Sequence, residues 1–190
     1  MRFNPAALCL LLWDLAGCAT PYTQALTAFQ QGRYEEAASR FAAVLARDPG
    51  RLDALLGLGV TRYRLRDFDA TVDVLGRVVS RAPENPEARL YLALSFWQKG
   101  EDALAVEHLQ ALLDLKPAPR LAAQIDRALG VIRLDSLSEQ MRAFLAASLE
   151  DEWEQEQELR AARLAQRLYV PPPPTLVPPG PVIITPRRSP

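Results

Sequence analysis

Few side chains in this sequence could do covalent or acid–base chemistry, and their placement is lopsided. The two cysteines, Cys9 and Cys18, both fall within the first 18 residues. Nothing downstream can therefore close an intramolecular disulfide or supply a thiolate metal site. The one histidine, His108, has no nucleophile or second ligand at a spacing that builds a catalytic pair, and reads as a rim residue. No glycine-rich turn opens a helix as phosphate binding requires. The carboxylates gather in "EDEWEQEQE" from Glu150 to Glu158, which reads as a solvated helical face. The formal net charge is −1, and without a long basic stripe it points away from nucleic acid. The expectation is a chain with no enzymatic activity, no metal and no small-molecule substrate.

Cys18 is the one reactive group with an evident use. Arg2 gives a positive start, and Ala6 to Ala16 form an apolar run broken by Asp14. That run is shorter than the roughly 20 residues a membrane-crossing helix needs, and fits a secretory signal. Leu15-Ala16-Gly17-Cys18 resembles a bacterial lipobox: an aliphatic residue, two small ones that fit a narrow peptidase site, then the cysteine. The resemblance implies that residues 1–17 are a signal peptide and that Cys18 becomes a lipidated amino terminus. Two or three acyl chains then anchor the protein stably, and a covalent lipid is the only cofactor expected. Ala19 after the cysteine implies an outer-membrane lipoprotein facing the periplasm. Thr20 and Pro21 read as the cap and first residue of a helix, so almost no linker follows the anchor.

The elements that come next are set by a step of 34 residues. It separates Pro49, Pro83 and Pro117, and it relates Gly32, Arg66 and Gly100; Tyr34, Phe68 and Asp102; Ala37, Thr71 and Ala105; and Phe41, Leu75 and Leu109. A glycine ends the first helix of a unit because it accepts a left-handed cap with no Cβ penalty; Arg66 departs from that rule. Ala37 and Ala105 are small where two helices approach, and Thr71 crowds the same place in the second unit. Phe41, Leu75 and Leu109 fill the space between neighbouring units. Proline ends the second helix, because it lacks an N–H and biases its predecessor away from helix.

These segments, "GRYEEAASRFAAVLARDP", "RDFDATVDVLGRVVSRAP" and "GEDALAVEHLQALLDLKP", resemble the tetratricopeptide repeat (TPR). The fold expected is all-α, a solenoid of three helix-turn-helix repeats at about 20–49, 50–83 and 84–117 within residues 18–117. First helices read Tyr22 to Gln31, Leu52 to Leu65 and Glu87 to Lys99. Second helices read Tyr34 to Arg47, Phe68 to Arg81 and Asp102 to Lys116.

Residues 118–168 read as a capping helix, with Leu121, Ile125, Leu129 and Ile132 on one face, and a long carboxy-terminal helix that completes a degenerate fourth hairpin. Ser136 and Glu139 form a capping box for it. Asp151 stands where the next proline would fall, so the helix continues to about Leu168. Its acidic stretch reads either as a solvated helix leaving the domain or as a contact arm for a basic partner, with Trp153 as anchor. Residues 169–190, rich in proline, read as a disordered or polyproline tail.

The TPR resemblance implies a concave groove lined by the first helices of the units. Its positions are Tyr22, Leu26, Phe29 and Gln30; Asp53, Leu56, Val60, Tyr63 and Arg64; and Glu87, Leu90, Leu94, Trp97 and Gln98. TPRs that clamp a terminal carboxylate place lysine and asparagine where Leu56, Val60, Leu90 and Leu94 stand, which argues against such a clamp. An apolar groove is covered by a partner or by the chain's own carboxy-terminal segments, and both alternatives stand at this point. With a partner, an apolar or proline-rich peptide would pack on Phe29, Tyr63 and Trp97 while Arg64 fixes its polarity. The function expected is a lipid-anchored adaptor for protein partners of the cell envelope, similar to pilotins or to accessory subunits of outer-membrane assembly. A periplasmic spacer and a non-catalytic subunit of an envelope enzyme are the alternatives.

Overall fold

The computed structural model describes residues 20–132 and 137–168. The lipobox-like motif with Cys18, Ser136 and the proline-rich tail lie outside the described residues. Among those described there are eight helices and no strand: α1 (Pro21–Gln30), α2 (Tyr34–Arg47), α3 (Leu52–Arg64), α4 (Phe68–Arg81), α5 (Pro86–Gln98), α6 (Asp102–Asp114), α7 (Pro119–Ile132) and α8 (Glu139–Leu168). The first six end within two residues of the positions expected from the 34-residue step. Each packs against its chain neighbour, and α3 also reaches α5 and α1. That is the layering of a TPR solenoid, with first helices on one side and second helices on the other.

Local chemistry explains why the ends fall where they do. Thr20 caps α1, its hydroxyl accepting from the Thr23 N–H at 3.3 Å, with Pro21 at the first helical position. Asn85 caps α5 in the same way, accepting from the Ala88 N–H at 2.8 Å ahead of Pro86. Between paired helices the chain turns through a left-handed residue: Gly32 at φ 72°, Arg66 at φ 60° and Gly100 at φ 77°. All three turns share one hydrogen-bond pattern, in which the next residue donates back across the turn: Arg33 to Ala28 O, Asp67 to Arg62 O and Glu101 to Phe96 O. Arg66 thus takes the glycine conformation with a side chain attached, a strain of roughly 1 kcal/mol that the surrounding turn imposes.

Two glycines inside α3 set how closely its neighbours approach. A Cβ on Gly57 would fall 2.5 Å from the Phe41 ring, and one on Gly59 would fall 2.2 Å from a Leu75 methyl. Phe41 and Leu75 are fully buried, so α2 and α4 are both packed directly onto bare α3 backbone. Thr71, at the position where alanine stands in the other units, is also fully buried. Its hydroxyl donates to Asp67 O at 2.8 Å, so no polar atom is stranded.

α7 covers the open end of the third unit with Leu121, Ile125, Ala128 and Leu129. Ser138, just before α8, caps it, its hydroxyl accepting from the Met141 N–H at 3.2 Å. Among the described residues, those up to Glu156 belong to one compact unit with the solenoid, and those from Gln157 to Leu168 belong to a second. In the second unit, residues 157–168 are helical and exposed throughout. No helix among the described residues is long and apolar enough to cross a membrane.

Candidate functional site

The groove built from α1, α3 and α5 is divided in two, and the division comes from α8. Leu145, Leu149 and Trp153 lie one helical turn apart along its first half and, with Ala146, join the same core as the solenoid. Trp153 is only 5% exposed. The structure therefore places this tryptophan inside the chain's own packing rather than on an arm reaching for a partner. Flanking polar contacts hold the helix down: Arg142 forks onto Asp102 at 3.0 and 2.8 Å, and Gln124 on α7 bonds Ser148.

Arg64, at the end of α3, faces the acidic stretch of α8. It pairs with Glu150 at 2.9 Å and also with Glu154. Two carboxylates one turn apart thus share one guanidinium, which offsets the repulsion expected between them on an isolated helix. Burial, the larger effect, together with the neighbouring Glu154 and Asp151, raises the Glu150 pKa above the ordinary carboxylate value despite Arg64. Tyr63 and Tyr91 pack edge to face beside this cluster with ring centroids 5.0 Å apart. Burial raises the pKa of both phenols, with Glu150 adding to the effect, so both stay neutral. A cavity of about 310 Å³ remains where α8 meets the groove, lined by Tyr63, Arg64, Phe68, Gln98, Ala147 and Glu150.

Half of the expected groove residues therefore face the chain's own interior. Leu90, Leu94 and Trp97 are fully buried, and Tyr63 is 8% exposed. These side chains belong to one core with α3, α4, α6 and the apolar residues of α8, and α8 itself lies against Tyr63, Arg64 and Gln98. The Trp97 indole N–H has no hydrogen-bond partner among the described residues, a cost of about 1–3 kcal/mol that the packing around it must exceed. Arg64 is committed to Glu150 and Glu154, so it does not stand free to orient a peptide.

The other half of the groove is open. Tyr22, Leu26, Phe29 and Leu56 are partly exposed, and Val60 forms the buried floor beneath them. These residues line a second cavity, of about 170 Å³, that also includes Asp53 and Glu87. Asp53 is paired with Arg51 at 2.8 and 3.0 Å, and the Arg51 guanidinium lies 4.4 Å from the Tyr22 ring centre. Glu87, in the first turn of α5, makes no ion pair among the described residues. Burial raises its pKa above the ordinary value.

His108 packs flat on Phe96, with ring centroids 5.5 Å apart and planes at 4°. Burial lowers its pKa, and Arg89 lies 3.5 Å from Nδ1. It therefore reads as a neutral packing residue at the back of the solenoid.

The tetratricopeptide repeat family model matches residues 22–71 and 61–118, together just over half of the chain. The chain belongs to the tetratricopeptide repeat family. The peroxisomal targeting signal receptor of Candida albicans is 32% identical over 104 residues, covering 54% of this TPR chain but 18% of that receptor. The chain thus spans less than a fifth of the length of the curated relatives it matches. Among solved structures, the Yersinia enterocolitica type III secretion chaperone SycD in complex with a peptide of the translocator YopD is 25% identical. The match has a TM-score of 0.56 and covers 60% of this chain and 90% of SycD. MamA, at 20% identity and TM-score 0.56, covers 83% of this chain and shares its fold. The architecture is that of a protein–protein interaction scaffold.

Proposed function

We propose that this TPR chain is a lipid-anchored adaptor of a bacterial cell envelope, which binds a protein partner through the open half of its groove and holds it at the membrane. The observation that carries the binding part is the cavity beside Tyr22, Leu26, Phe29 and Leu56, an apolar surface left uncovered while the rest of the groove is filled. SycD, solved with a translocator peptide, supports a partner presented as a short segment. The anchoring part rests on Leu15-Ala16-Gly17-Cys18, with Cys18 as the lipidated residue of an outer-membrane lipoprotein facing the periplasm. Thr20 caps α1 only two residues further on, which would keep the first repeat close to the bilayer. The partner would belong to an envelope assembly, of the kind served by pilotins or by accessory subunits of outer-membrane protein assembly.

Cell fractionation of a Cys18→Ser variant, with crosslinking and mass spectrometry of the native lipoprotein, tests both parts. The variant should leave the membrane fraction or stall with its signal attached. A variant that stays membrane-bound and correctly processed would contradict the anchor. Deleting residues 170–190 separates an adaptor, which should keep its partner, from a spacer, which should lose function.

A further inference from the structure

The two halves of the groove carry opposite charge. At the α8 half the groove supplies a cation, Arg64, and the helix that fills it supplies the carboxylates Glu150 and Glu154. At the open half the groove supplies the carboxylate. Arg51 compensates Asp53, and Arg51 and Asp53 together contribute no net charge. Glu87 makes no ion pair among the described residues and is left as the unbalanced charge of the cavity, half-buried beside Tyr22, in the first turn of α5, where the helix dipole favours a negative charge. A half-buried carboxylate with no cation is costly to keep ionised, and a ligand cation would remove that cost. α8 also shows what this groove accepts: an amphipathic helix whose apolar residues recur every turn, with charges on the flank that match the groove.

From this reversal of charge we infer that the open half-groove receives a basic amphipathic helix of a partner protein, which seats an aliphatic or aromatic side chain between Tyr22, Leu26, Phe29 and Leu56 and brings a lysine or arginine to Glu87. The inference rests on the adaptor reading above and names the chemistry of its partner. A cavity of about 170 Å³ suits one bulky apolar side chain, so the salt link one turn away would supply much of the discrimination. Recognition here is opposite in sign to a clamp for a terminal carboxylate, which needs cations in the groove.

The test uses the full-length chain and a fluorescent amidated peptide of about sixteen residues, with leucine every third or fourth position and arginine one turn from each leucine. The comparison peptide carries glutamate in place of arginine. Fluorescence anisotropy should show the arginine peptide binding at least about 10-fold more tightly than its glutamate twin. Glu87→Gln should weaken the arginine peptide about 5- to 10-fold and leave the glutamate peptide unchanged or improved. Because that substitution relieves an unpaired half-buried charge, its melting temperature should be equal or higher, so lost binding cannot be lost folding. Equal binding of the two peptides, or a Glu87→Gln variant that binds the arginine peptide as well as the parent, would overturn the inference. A photo-crosslinker at Leu26 keeps the two claims apart. If it captures a protein whose yield is unaffected by Glu87→Gln, the basic-helix inference fails and the adaptor reading stands; if Leu26 captures nothing while other surfaces do, the adaptor reading itself fails.

Discussion

Replacing Arg64 with alanine should release the first half of α8 from the groove while leaving the solenoid folded. The magnitude follows from exposure. Removing one partner of a fully buried ion pair costs about 3–5 kcal/mol, and of an exposed pair about 0–1 kcal/mol. The side chains of Arg64 and Glu150 are 24% and 14% exposed, whereas that of Glu154 is 49% exposed. Most of the loss is therefore on Glu150, and the sum is about 2–3 kcal/mol. Amide hydrogen exchange reads this directly: protection across residues 139–156 should fall about 30- to 150-fold, and that of α2 should stay at its parent value. Glu150→Gln should cost less, because burial already favours the neutral form of that carboxyl. Arg64→Met combined with Glu150→Leu should restore protection, since an apolar pair of similar volume replaces the ions without stranding a charge. Exchange across 139–156 within twofold of the parent in Arg64→Ala would refute the view that this ion pair holds α8.

Other expectations follow from packing, turn geometry and titration. Gly59→Ala should lower stability by about 1–3 kcal/mol in urea unfolding, because the new Cβ meets the fully buried Leu75 at 2.2 Å. Arg66→Gly should raise stability by about 0.5–1 kcal/mol in the same assay by relieving the left-handed conformation at φ 60°. Glu87 has a raised folded pKa, so its favourable contribution is complete below the unfolded carboxylate value and is lost as pH rises through the folded one. The stability of Glu87→Gln should accordingly match the parent in acid and exceed it at neutral pH, as followed by denaturant titration at both.

How much could be read from the sequence depends on how local the cause was. The ends of α1 to α6 are legible because Thr20, Gly32, Gly100 and the prolines set them within a few residues of chain, whereas the Asn85 cap that starts α5 one residue early is seen only in the structure. Even the exception was visible: Arg66 occupies the glycine register and takes the same turn. The sequence alone leaves the seating of α8 open between self-filling and a partner. Its acidic stretch reads as solvated or as an arm for a basic partner, because its counter-ion Arg64 lies 90 residues from Glu154. The signal that could have found it is the one basic groove position among apolar neighbours, facing a helix with a leucine stripe and surplus carboxylates. At the start of α8 the hydroxyl of Ser138 accepts from the first turn, and the expected Ser136 cap lies outside the described residues.

The divided groove is tested most directly by two photo-crosslinking positions in the full-length protein. A probe at Gln98, which lines the cavity against α8, should crosslink within the chain to a peptide from residues 139–156. A probe at Leu26, in the open half, should crosslink to a partner. Efficient capture of a partner from Gln98, with no link to α8, would contradict the division.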